Sequence, residues 1–342
     1  MRAPSSGSDR RWRTQLASDS PPASARGVSW VFIGPQGIRA GWGVLLFAVI
    51  WLALSLGAQW VCVPLVRWTP GAPMPPELGI VMEVCQLIPA IIATWILSII
   101  ERRPVTAYGF QGDSRMLRLF SGMLWGFVAI SSLVLTLWKL GYLALGRTSL
   151  STSAILGYAA VWAFVFLMAG FFEESLFRGY IQFALTRGIG FWWGALLFAG
   201  IFGLTHRMNP GESPIGLASV VGAALFFSLS LWYTGSLWWA VGFHATWDWG
   251  QSFFYGTADS GVVSQGHLFD AHPQGSLIWS GGTTGPEGSV LVLLWLAVMA
   301  LLMVLWWGRR VRSPFRGGAW KPKKDLFPAA LPQASWSDAP YR

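Results

Sequence analysis

Charge is what this sequence has least of. Asp, Glu, Lys and Arg together make up 11 % of its 342 residues, against roughly 25 % in soluble domains. Hydrophobic residues reach 54 %, with 23 Trp and 22 Phe. That balance excludes an ordinary soluble domain and indicates a polytopic membrane protein. Cysteine is nearly absent too. Cys62 and Cys85 both fall in apolar runs, which argues against a disulfide framework or a cysteine-based metal site and for apolar packing. The N-terminus lacks a short apolar stretch followed by a small-residue cleavage site, so no removable signal peptide is expected. No internal repeat is visible, which counts against a transporter built from paired halves.

The net charge of +9 would suggest a nucleic-acid partner in a soluble chain. Here the basic residues cluster in tails and loops, where membrane topology requires them, and no nucleic-acid partner is expected. Residues 1–38 are rich in Ser, Pro, Arg and Gly and read as a disordered cytoplasmic tail. Residues 39–308 form the membrane domain, with a motif core at 152–255, and 309–342 form a basic C-terminal tail.

Eight apolar segments are predicted near 40–66, 78–100, 118–145, 152–174, 191–207, 214–233, 236–255 and 288–308. Each approaches the roughly 20 residues that a membrane-spanning helix needs. The expected fold class is therefore all-α, a bundle of about eight transmembrane helices in contact with the lipid bilayer. Arg102, Arg103, Arg115 and Arg118 follow the second segment, and Arg309, Arg310, Arg312, Arg316, Lys321, Lys323 and Lys324 follow the last, whereas 256–287 has none. Both termini are then cytoplasmic, and 256–287 becomes an outer, irregular loop.

Three stretches place ionisable groups inside or at the ends of these segments, where they are costly and mark sites. The first is FFEESLFRGY, 171–180. Glu174 and Arg178 are four apart on one helix face and read as a structural ion pair. Glu173 points elsewhere without a local partner, which suits a general base. The second is FGLTH, 202–206. If 187–191 turns an antiparallel helix pair, Glu173 and His206 come to similar depth. The third is GFHATWDWGQSFF, 242–254, where His244 and Asp248 share a face and the carboxylate can orient the ring. By helix counting His244 sits shallower than the Glu173–His206 level. Any one of these is readable as a self-satisfied packing pair. Glu173, His206, His244 and Asp248 together point to a reaction centre.

EESLFR, FGLTH and HATWD fit the patterns EExxxR, FxxxH and HxxxN/D in order. On these motifs the chain resembles the CAAX protease and bacteriocin-processing family of intramembrane endopeptidases (CPBP or ABI), over roughly residues 80–308. ERRPVTAYGF, YTGSLW and GGTTGPEGS add to the likeness. The resemblance implies a bacterial inner-membrane peptidase acting on a peptide or membrane-protein substrate. It also implies that Glu173 and His206 activate a water, that His244 and residue 248 stabilise the oxyanion, and that Glu174 and Arg178 support them. A rival version of the same resemblance has Glu173, His206 and His244 holding a divalent metal such as zinc. Asp at 248 departs from the Asn of many members, since an ionised Asp only accepts hydrogen bonds. A non-catalytic membrane scaffold or bacteriocin-immunity protein is the alternative function.

Overall fold

In a computed structural model of the chain, residues 29–316 are described, apart from 35–36, 70–71 and 210. Of the expected tails at 1–38 and 309–342, residues 1–28 and 317–342 lie outside the described residues.

The apolar segments become helices close to where the sequence places them. These are α1 (Ala40–Cys62), α2 (Pro76–Ile100), α3 (Arg115–Lys139), α4 (Thr152–Glu174), α5 (Ile181–Ile189), α6 (Phe191–His206), α7 (Pro214–Thr234), α8 (Trp238–Trp249) and α9 (Val290–Trp307). Among the described residues, six helices are long and apolar enough to cross a membrane, and α6 is a shorter apolar one. Their starts follow from local chemistry. The Ser151 hydroxyl accepts from the Ala154 amide at the head of α4, Ser213 from Gly216 at α7, and Ser289 from Leu291 at α9, each satisfying an amide that the helix leaves unpaired. Pro214 takes the first position of α7, where its missing N–H costs nothing.

Two expectations need correction. Part of the segment read as a disordered tail is ordered: Ser29–Phe32 forms a helical turn, Ile33–Gly34 pairs with Gly37–Ile38, and Arg39 Nε donates to the Trp30 carbonyl at 2.8 Å. The segment 256–287 is not simply irregular. Its strand β2 (Phe269–Pro273) pairs antiparallel with β1 (Leu143–Arg147), with Leu143 opposite Pro273 and Arg147 opposite Phe269. Period-two patterning over five residues is too short to separate from loop sequence, and the pairing partners lie over a hundred residues apart.

The bundle has two unlike ends. At one, the Leu237 amide donates to the Gly109 carbonyl and Arg118 donates to that of Thr234. Phe315, just past α9, is buried there against Phe183, Phe191 and Trp232. The basic residues that follow α2 and α9 belong to this end. Glu101 locks it internally, taking Arg187 through both carboxylate oxygens at 2.6 and 2.9 Å and the hydroxyls of Tyr180 and Tyr108 at 2.8 and 3.0 Å. The opposite end is covered by the β1–β2 strand pair and by the rest of 256–289, whose Thr283 and Thr284 hydroxyls donate to the Gly211 carbonyl. ERRPVTAYGF, YTGSLW and GGTTGPEGS thus fasten the two ends of the bundle.

α8 is held unusually close to α3. A Cβ on Gly122 would collide with the Trp239 carbonyl oxygen, one on Gly126 with that of Phe243, and one on Gly242 with that of Leu119. Small residues permit this approach where water supplies no drive between helices, and Thr246 Oγ1 adds a hydrogen bond to the Met123 carbonyl at 2.7 Å. The obstacles are backbone atoms, which cannot rotate away. Gly126→Leu is therefore expected to cost at least about 1–3 kcal/mol, read as a lowered Tm of the detergent-solubilised protein, whereas Gly57→Leu, with open space around it, leaves Tm unchanged.

Candidate active site

α4 and α8 carry their carboxylates to the same place and then change form. Directly after Glu174 the chain winds into a π-helical turn, Ser175–Tyr180, with Gly179 at a non-helical φ of −80° and ψ of −125°. Directly after α8, Gly250–Phe254 makes a second π-helical turn. Such turns leave part of the backbone ladder open and concentrate at functional sites. They also bear on the relative depth that helix counting from the 187–191 turn leaves open. α4 and α5 are not one straight helix, because the break at Gly179 re-aims the chain, and His244 meets Glu173 after all.

The arrangement centres on His244. Its Nδ1 lies 3.2 Å from Glu174 Oε1, and its Nε2 lies 3.5 Å from both Glu173 Oε2 and Asp248 Oδ2. The ring stacks on Phe227 with centroids 5.3 Å apart. Behind it, Glu174 and Arg178 form the expected ion pair at 2.8 Å, with side chains 0 % and 2 % exposed. The guanidinium sits over Phe202 at 4.9 Å and Phe227 at 5.6 Å, placements that favour a cation on an aromatic face.

Phe202 links the second motif to the first. Its ring abuts His206 with centroids 4.5 Å apart, and its carbonyl oxygen lies 2.9 Å from His206 Nδ1. Nδ1 therefore carries a hydrogen and donates it, leaving Nε2 as the basic nitrogen. Among the described residues no hydrogen bond or ion pair joins His206 to Glu173. Both instead line one cavity of about 390 Å³, together with His244 and Asp248. A reactant could occupy the space between them.

Three further carboxylates line this cavity and went unnoticed in the sequence: Glu83 from α2, and Asp259 and Glu287 from the covering segment. For Glu83 there was a signal, a lone carboxylate in the apolar run VMEVCQL. Asp259 and Glu287 look like ordinary loop residues until the fold brings them in. Asp248, Asp259 and Glu287 each offer an oxygen within 4.8 Å of the others. Glu287 accepts from Trp247 Nε1 at 2.8 Å and from the Ser260 hydroxyl at 2.9 Å. Glu173, His206 and His244 do not gather their ligand atoms so tightly. Among the described residues, the carboxylate trio is the group that does.

Comparison with known proteins bears on the same residues. Residues 155–250 match the family model described as type II CAAX prenyl endopeptidase Rce1-like. Over this segment the chain is similar to the CAAX protease family. The matched segment runs from α4 to α8 and holds all three motifs, and with the six long apolar helices the likeness supports an integral membrane protein of a peptidase class. Glu83, Asp259 and Glu287 lie outside that segment. No curated protein matches the chain, and no solved structure does.

Burial, with Asp248 and Glu287 alongside, holds the Asp259 carboxyl well above the usual carboxylate range. A carboxyl with a raised folded-state pKa binds its proton more tightly folded than unfolded. Its contribution to stability is present at low pH and fades as pH rises from the unfolded value, about 3.9, through the folded one. Asp259→Asn is expected to flatten the decline of Tm between acidic and alkaline pH. An unchanged slope in a pH series of melting curves would count against this protonation state.

Proposed function

We propose that this protein hydrolyses a peptide bond in the membrane with a water activated by Glu173 and His206. The carrying observation is the shared cavity that Glu173, His206, His244 and Asp248 all line. Glu173 Oε2 is buried without a hydrogen-bond donor and is available to take a proton from water. The hydroxide so formed attacks the substrate carbonyl carbon, and charge develops on the carbonyl oxygen. With carboxylate oxygens against both of its nitrogens, His244 serves as the donor to that oxyanion. Asp248 accepts rather than donates, so its role is to orient His244 rather than to contact the oxyanion. Glu174 and Arg178 support the ring from behind.

A divalent cation such as zinc on Glu173, His206 and His244 fits less well. Among the described residues their ligand atoms do not gather as closely as those of Asp248, Asp259 and Glu287, and no step is assigned to a metal. The substrate class is a peptide or a membrane-protein segment. Glu173→Ala is expected to lower kcat by about 10²–10⁴-fold on a peptide selected from a quenched library, with wild-type cleavage surviving exhaustive chelation. Full activity of the folded Glu173→Ala variant would return the choice to a non-catalytic scaffold, and loss of wild-type activity on chelation would favour the metal.

The basic end supports cytoplasmic termini. Asn209, Asp259 and Ser260 line the cavity on the opposite end, so the site is reached from the non-cytoplasmic side. In a variant lacking Cys62 and Cys85, a membrane-impermeant maleimide added to intact cells is expected to label Val263→Cys and spare Val311→Cys, both exposed positions. The reverse pattern would invert the orientation.

A further inference from the structure

Glu83 has no assigned task. It lies about two turns into α2, outside the segment that matches the family model, yet its side chain lines the cavity of Glu173, His206 and His244. Its orientation has a visible cause. One turn earlier, a Cβ at Gly79 would sit 3.1 Å from Val165 and 3.2 Å from Trp162, so this face of α2 presses on α4. Residues 79, 82, 83 and 86 all border the cavity.

The surroundings of Glu83 set its charge state. Its Oε2 is buried, and no hydrogen-bond partner reaches it. Among the described residues no ion pair involves it. The charged groups within electrostatic reach are Glu173 from α4 and Asp248 and His244 from α8. α1, packed on its other side, has no Asp, Glu, Lys, Arg or His. From the π-helical turn at 175–180 comes only Arg178, which Glu174 already holds. Glu173 thus has an imidazole at 3.5 Å, and Glu83 has no cation of its own. Two carboxylates sharing one low-dielectric site do not both ionise, and the proton settles on the one without a counter-ion. When two acids in one site are driven apart in this way, the charged one is the base and the neutral one the acid.

We propose that Glu83 is the general acid of the reaction, donating its carboxyl proton to the leaving amine. This rests on the peptidase reading above. Water gives one proton to the Glu173 carboxylate, and the hydroxide forms the new C–O bond. As the C–N bond breaks, the nitrogen takes the proton of Glu83. The site then holds a neutral Glu173 and an ionised Glu83. Proton transfer from the first to the second restores the starting state, and the sum is peptide plus water giving acid plus amine. No external oxidant, reductant or metal enters.

The test has one arm that needs no substrate. Infrared spectra of the full-length protein in detergent at neutral pH should show the C=O stretch of a protonated carboxyl. In an Asp259→Asn background, which takes away the other carboxyl held protonated, Glu83→Gln is expected to remove that band, and Glu173→Gln to keep it. A band unaffected by Glu83→Gln, or one abolished only by Glu173→Gln, overturns the proposal. The second arm compares an amide and an ester of the same cleaved peptide. Glu83→Gln should lower kcat for the amide by on the order of 100-fold with KM little changed. The loss should be smaller for the ester, whose alcohol departs with less help from an acid. Equal losses on both substrates indicate a structural role and also overturn it. Because the infrared arm reads the proton alone, failure of the peptidase reading and failure of the Glu83 assignment give different results.

Discussion

The buried ion pair between Glu174 and Arg178 is the constraint on which the site depends. With side chains 0 % and 2 % exposed, neither charge could exist there alone, since leaving one unpaired costs about 3–5 kcal/mol. Each partner also does a second thing. Glu174 reaches His244 Nδ1, and Arg178 lies over Phe202 and Phe227. Phe202 in turn borders His206, and Phe227 stacks on His244. One ion pair therefore ties α4 to α6, α7 and α8 and sets both histidines against fixed aromatic faces. The motif EExxxR acquires a physical meaning: one glutamate and the arginine build the frame, and the other glutamate faces the cavity beside His244.

The close crossing of α3 and α8 complements this. α8 is only 12 residues long, shorter than a membrane crossing needs, and it is buried among neighbours. Glycines at 122, 126 and 242 let its backbone sit almost on that of α3, while the π-helical turn after it carries the chain on toward the covering segment. That segment then returns Asp259 and Glu287 to the cavity, so a protein with few charges concentrates five carboxylates in one place. Such a density is costly in an apolar surrounding and is retained where chemistry uses it. The same acids make proton sharing unavoidable, which links the raised Asp259 to the assignment of Glu83.

Much of this was open to sequence reading because the membrane simplifies the problem. A span must be apolar for about 20 residues, so most helices from Ala40 to Trp307 lie within a few residues of their expected bounds, except that α3 and α8 end earlier than their apolar runs and α5 was not expected. Intramembrane charges are rare enough that Glu173, Glu174, Arg178, His206, His244 and Asp248 stood out individually, and spacing of four paired Glu174 with Arg178 and His244 with Asp248. Glu83 carries the same signal, but it lies outside the three motifs and nothing in the sequence pairs it with them.

What the sequence determined by itself was the class of protein, its spans and the chemical types at its centre, because each depends on local composition and short-range periodicity. Tertiary structure alone decided who faces whom. Glu173 meets His244 rather than bonding to His206, since the break at Gly179 changes the direction of the chain where helix counting assumed a straight line. Glu83, Asp259 and Glu287 join the site because α2 packs on α4 and the covering segment folds back over the cavity. Those are long-range contacts between residues up to about two hundred positions apart, and no periodicity in a linear chain encodes them.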